Sequence, residues 1–234
     1  MPFVSVDNDN QKIAAVVAEI QTAYSGFLSG LRGVVAETLS GVSNGLVSIG
    51  SISRDLNLYA NVQESILLGR ISSALRGASM SALAASEAFT GKFVSDNALL
   101  ASDALVDGFT ITLSDKLDRQ MQRDVRTADT FVRKQLMQGR AFVSSDQLTQ
   151  EVDFKMNDAA GRGIKSDDYI TREVNWATRT VYNTMLIYSG SESGVEEFVV
   201  SGGSKEGEVL TIEDYEKKAG AIFHHNSKSL LQPH

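Results

Sequence analysis

The stretch LSDKLDRQMQRDVRTADTFVRKQL, residues 113–136, decides the fold class. Leu113, Leu117, Met121, Val125, Ala128, Val132 and Leu136 recur at intervals of three and four, the period of one helical face. Charged residues fill the other faces, and Gly139 stands where a helix C-terminal glycine belongs. Working outward, prolines occur only at Pro2 and Pro233, so no residue of that kind breaks a helix between them.

Upstream, Asp9 or Asn10 offers an N-cap to a second stripe formed by Ile13, Val16, Val17, Ile20, Tyr24, Phe27, Leu28 and Leu31. The pattern breaks from Gly41 to Ser53, which reads as a loop, a loose helix or a segment ordered only by partners, and helix resumes near Leu56 and runs to Phe89. Gly91, Ser95, Asp96 and Asn97 mark a join, with Asp96 as the cap of the next segment. Downstream, a helix opens near Ser166 or Asp167, carries Ile170, Val174, Ala177, Val181 and Met185, and ends near Gly190. Residues 195–200 read as one strand followed by the turn Ser201-Gly-Gly, and Thr211 with Asp214 resembles a capping box opening a helix that stops at Gly220. The expectation is a mainly α protein of long helices with a small α+β C-terminal domain. Its division is a helical Ala/Ser/Gly-rich assembly region over 1–140 and a small α+β domain over 141–234.

Composition narrows the chemistry. The 234 residues carry a formal net charge of -7 and hold no cysteine, which removes disulfides, thiolate metal sites and cysteine nucleophiles. Three histidines leave little for acid-base or metal work. His224 and His225 are adjacent and rarely able to share one ion, so no metal site is expected even with Glu213, Asp214 and Glu216 nearby. No catalytic residue and no cofactor is assigned. The acidic pairs Glu196-Glu197 and Glu206/Glu208 lack a nucleophile and an orienting group, and a carboxylate enzyme is the weakest of the readings. The start of the chain has no basic region followed by an apolar run, so no secretory leader is expected.

Two patterns point to partners instead. Arg119, Arg123, Arg126 and Arg133 lie along the central helix and are candidates for meeting DNA phosphates. Asp115, Asp118, Asp124 and Asp129 interleave with them, so an ion-paired, solvated face is the competing reading. Small residues spaced four apart, Gly26 with Gly30, Gly41 with Gly45, and Ala74, Ala78 and Ala82, suit close helix packing or self-association. They also leave open a helical module that inserts into or lies on a bilayer, although the longest uncharged run, Thr38 to Ser53, is too short and too polar to span one.

The C-terminal part adds a resemblance. Arg179, Thr180 and Asn183 lie on a helix followed by a strand and by Ser201-Gly-Gly, and His224, Asn226, Ser227 and Lys228 follow near the end. This resembles the C-terminal part of the tailed-phage minor head (head-morphogenesis) proteins, the Mu F-like family. There an Arg-Thr-x-x-x-Asn helix precedes a strand, and a His-Pro-Asn-Ser/Cys-Arg element closes the domain. His225 stands in place of the proline, and the cysteines that form a metal site in many members are absent. The resemblance implies a low-copy virion protein inside the head, near the portal and the packaged DNA. The N-terminal two thirds are similar in character to internal ejection proteins of tailed phages, which are helical, cysteine-free and rich in small residues. The partners so implied are further copies of the chain, portal or other virion proteins, packaged DNA, and a membrane on ejection.

Overall fold

A computed structural model describes residues 6–46, 48–140, 145–157, 161–224 and 227–234. His225 and Asn226 therefore lie outside the described residues. The architecture is mainly α with a small strand-containing C-terminal region, as the periodicities require. In order, the elements are α1 (Val6–Ser43), α2 (Ile52–Thr90), α3 (Asp96–Met137), α4 (Ser145–Glu151), β1 (Lys155–Asn157), β2 (Gly163–Lys165), α5 (Ser166–Glu192), β3 (Glu197–Ser201), β4 (Val209–Thr211), α6 (Ile212–Ile222) and β5 (Leu230–Pro233). A short 3-10 turn, Ile49–Ser51, precedes α2.

The chain forms two compact units, each drawn from segments distant in sequence. One comprises Met1–Glu19, Arg70–Leu113 and Thr171–His234; the other comprises Ile20–Gly69 and Ser114–Ile170.

In the unit containing residues 114–170, the apolar stripe of α3 is buried as its spacing demands: Leu117, Met121, Val125, Ala128 and Val132 are all 3% exposed or less. They join Tyr24, Phe27 and Leu31 of α1 and Ile52, Leu56 and Leu67 of α2 in the core. Gly30 permits a close approach here, because a Cβ at that position would collide with the Tyr59 hydroxyl oxygen. The Tyr59 ring stacks on Phe27, with centroids 5.9 Å apart. The hairpin β1–β2 is antiparallel, pairing Met156 with Ile164. α3 ends as expected: Gly139 takes φ +68, its N–H donates to the Leu136 carbonyl at 3.0 Å, and the Arg140 N–H reaches the Gln135 carbonyl at 3.0 Å.

In the unit containing residues 171–234, Val174, Ala177, Val181 and Met185 bury one face of α5. The three-stranded antiparallel sheet has the order β4-β3-β5, with Phe198 opposite both Leu210 and Pro233. Phe198 and Val200 alternate inward along β3. Ala74, Ala78 and Ala82 are core residues of α2.

Some expectations change. α1 begins at Val6, so Asp9 and Asn10 lie inside the helix rather than capping it. Both side chains are drawn to α5 instead, as described below. α1 continues through Gly41 to Ser43, and α2 starts at Ile52 rather than near Leu56. The cap of α3 is Ser95, whose hydroxyl accepts the Ala98 N–H at 3.0 Å, and not Asp96. The Thr211–Asp214 capping box is present, with the Asp214 N–H donating to Thr211 Oγ1 at 3.1 Å. Its helix passes Gly220 to reach Ile222.

Candidate functional site

Several of the residues that carry the resemblance lie together in the structure. Arg179 on α5 is 6% exposed. Its Nη1 donates to the Lys228 backbone carbonyl at 2.9 Å and to Asn10 Oδ1 at 2.6 Å, and its Nε donates to Asn175 Oδ1 at 3.0 Å. These acceptors are neutral oxygens. Desolvation accordingly pulls the guanidinium down to about 10 from its ordinary value.

One turn further, Asn183 is fully buried, and its Oδ1 accepts the Leu231 N–H at 2.9 Å, which fixes β5 against the helix. Its Nδ2 has no partner among the described residues. Asn175 Nδ2 reaches the Ser227 carbonyl at 3.5 Å, and Ser227 Oγ accepts the Ser229 N–H at 3.1 Å. Tyr182 donates to Asp9 Oδ2 at 3.2 Å, and burial beside that carboxylate raises its hydroxyl pKa. Thr180 instead turns back to the Trp176 carbonyl at 2.8 Å and takes no part in the junction. The arrangement ties side chains of α5 to the main chain of residues 227–231.

A second cluster lies on α3, in the other unit. Asp124 is 1% exposed and therefore does not belong to a solvated charged face. It falls on the apolar stripe, three residues after Met121 and four before Ala128. Its Oδ2 accepts Tyr24 Oη at 2.8 Å, and its Oδ1 accepts Ser166 Oγ at 2.8 Å and Gln120 Nε2 at 3.2 Å. Burial pushes the carboxyl up to about 6, against the lowering effect of those three bonds. The start of α5 is held to α1 by further polar contacts, Ser25 Oγ donating to Asp167 at 2.8 Å and Gln21 Nε2 to Asp168 at 3.4 Å. Arg32 spans the same region, lying 4.9 Å over the Phe154 ring and donating to the Val152 carbonyl at 3.2 Å.

With Asp124 turned inward, the charge on α3 is less balanced than the sequence implies. Arg133 pairs with Asp129 at 2.8 Å and donates to Ser53 Oγ at 3.1 Å. Arg119, Arg123 and Arg126 are exposed, stand at i, i+4 and i+7 on one face, and form no ion pair among the described residues. They make a cationic row suited to a phosphate backbone or another polyanion.

The remaining expected groups stay apart. Glu208 pairs with Lys218 at 3.3 Å, and Glu197 lies 3.3 Å from His234 Nδ1. Among the described residues, no three His, Asp or Glu side chains are placed to share a metal ion. No described helix is long and apolar enough to cross a membrane. Compared with known proteins, the chain matches no family model, no curated protein and no solved structure.

Proposed function

We propose that this chain is a structural, non-enzymatic component of a tailed-phage particle, a minor head or internal ejection protein near the portal. In this reading it assembles through its helices and meets packaged DNA through Arg119, Arg123 and Arg126 of α3, with Arg133 at the end of the row. The observation that carries the reading is the junction at Arg179. The two short elements on which the family resemblance rests lie 49 residues apart in sequence and are joined by this one buried side chain, as parts of a single motif should be. The test is mass spectrometry of purified, nuclease-treated particles from the phage that encodes the chain. The expected result is its presence at few copies relative to the shell protein, and absence from complete particles overturns the reading.

A second reading, a helical module that lies on a bilayer during genome delivery, draws on one feature. Leu58, Val62 and Ile66 form an exposed apolar row at four-residue spacing on α2, 64%, 54% and 48% exposed. Flotation with anionic and zwitterionic liposomes decides it: a chain that stays at the bottom of the gradient with both is not membrane-active by this face.

A further inference from the structure

Between Arg119 and Met137, α3 sets two acids, Asp124 and Asp129, against the bases Arg119, Arg123, Arg126, Arg133 and Lys134. Both acids are already engaged. Asp124 is buried against Tyr24, Gln120 and Ser166. Asp129 closes a ring with α2 and its own helix: Ser53 Oγ donates to its Oδ1 at 2.9 Å, Arg133 Nε donates to its Oδ2 at 2.8 Å, and Arg133 Nη2 donates to Ser53 Oγ at 3.1 Å. The acid stands four residues before the base, the favoured order for such a pair on a helix. Two nitrogens of the Arg133 guanidinium are thereby committed toward α2.

The outward face of α3 ends on a different residue. Each residue turns about 100° around the helix axis, so Arg119, Arg123, Arg126, Thr130 and Lys134 fall within an arc of about 80° that runs about 22 Å along the helix. All five are exposed. Neither Thr130 nor Lys134 has a side-chain hydrogen bond or ion pair among the described residues. Thr112 and Thr127 differ in this respect, since their hydroxyls bond back to the Gly108 and Arg123 carbonyls at 3.0 Å. The Thr130 hydroxyl is left to donate outward, between cations, on a strip that carries no acid. Phosphate oxygens are the acceptors that such a strip of cations and a hydroxyl suits.

We propose that this strip meets the sugar-phosphate backbone of duplex DNA through Arg119, Arg123, Arg126 and Lys134, with Thr130 between them, and that Asp129 limits the contact by holding Arg133 aside. The inference rests on the DNA contact proposed above and moves its end from Arg133 to Lys134.

The experiment is fluorescence anisotropy of a labelled duplex of about 20 base pairs, titrated with the full chain over a range of salt concentrations. Each cation that neutralises a phosphate adds about 0.9 to the slope of log affinity against log salt, or about eightfold in affinity at about 0.1 M salt. Lys134→Gln is expected to lower the slope by that amount, and Arg133→Gln to leave it unchanged. Asp129→Asn releases Arg133 and is expected to steepen the slope by about 0.9, a gain that Asp129→Asn combined with Arg133→Gln loses. A slope that Lys134→Gln does not change, that Arg133→Gln lowers, or that Asp129→Asn does not steepen overturns this assignment and leaves the contact through Arg119, Arg123 and Arg126 standing. So does a gain that persists without Arg133, because it then comes only from the loss of a nearby negative charge. A wild-type chain that binds no duplex even at the lowest salt overturns both.

Discussion

Arg179 and Asp124 are single buried charges held by neutral partners, and they respond differently to removal. Arg179→Leu relieves the burial of a cation but strands Asn10 Oδ1, Asn175 Oδ1 and the Lys228 carbonyl. At ~1–3 kcal/mol for each buried group left without its donor, a net loss of about 3 kcal/mol in urea unfolding is expected, and Arg179→Lys recovers only part because one ammonium does not reproduce the guanidinium fork. For Asp124 the sign is opposite at neutral pH. Its folded pKa, about 6, lies above the ordinary 3.8, so between those values the unfolded chain gives up a proton that the folded chain keeps. This group therefore costs stability as pH rises through that window, and the cost persists above it. Besides its three bonded partners, the charged groups that act here are Asp167 of α5 and Arg32 of α1. Asp124→Asn removes the titration. Its stability relative to wild type is expected to be higher at pH 7.5 than at pH 4 by about 2.4 kcal/mol, and equal differences at the two pH values refute the assignment. The sequence groups Asp124 with the interleaved acids of a solvated face, which the structure corrects, and gives no sign of its partners Tyr24 and Ser166. They lie 100 and 42 residues away, and no spacing rule links positions that far apart.

At the scale of elements, legibility followed length. α3 and α5 bury whole turns of apolar residues, so their period survives any local irregularity. The strands β1, β2 and β4 have three residues each, too few to display an alternation, and β5 reads Leu-Leu-Gln-Pro. β5 pairs only with β3 and is an edge strand, which is why Pro233 is tolerated at its end. The start of α1 was misplaced for a related reason. Asp9 and Asn10 have the chemistry of caps, and only their long-range bonds to α5 explain two such residues within a helix. The outward face of α3 carries its own prediction. Charge reversal of Arg123 and Arg126 is expected to weaken duplex DNA binding and to reduce the slope of log affinity against log salt by about 0.9 for each phosphate no longer neutralised. Binding that is unchanged in strength and salt slope identifies the row as a solvated surface.

For the molecule as a whole, the compact units do not follow chain order. A fragment spanning residues 1–140 lacks 171–234 of one unit and 141–170 of the other. It is expected to keep helical circular dichroism yet melt broadly, because neither core is complete. A sharp transition resembling that of the full chain shows instead that the first three helices fold alone. The same discontinuity bears on the order of synthesis. Asp9 and Asn10 find their partners Tyr182 and Arg179 only 173 and 169 residues later. At ~5–20 residues per second the first turns of α1 wait on the order of ten to thirty seconds for those partners to leave the ribosome, while a helix forms within about a microsecond. The first turns of α1 thus spend that interval without their α5 partners, which leaves this end of the helix open to a chaperone or to a neighbouring chain on the same message.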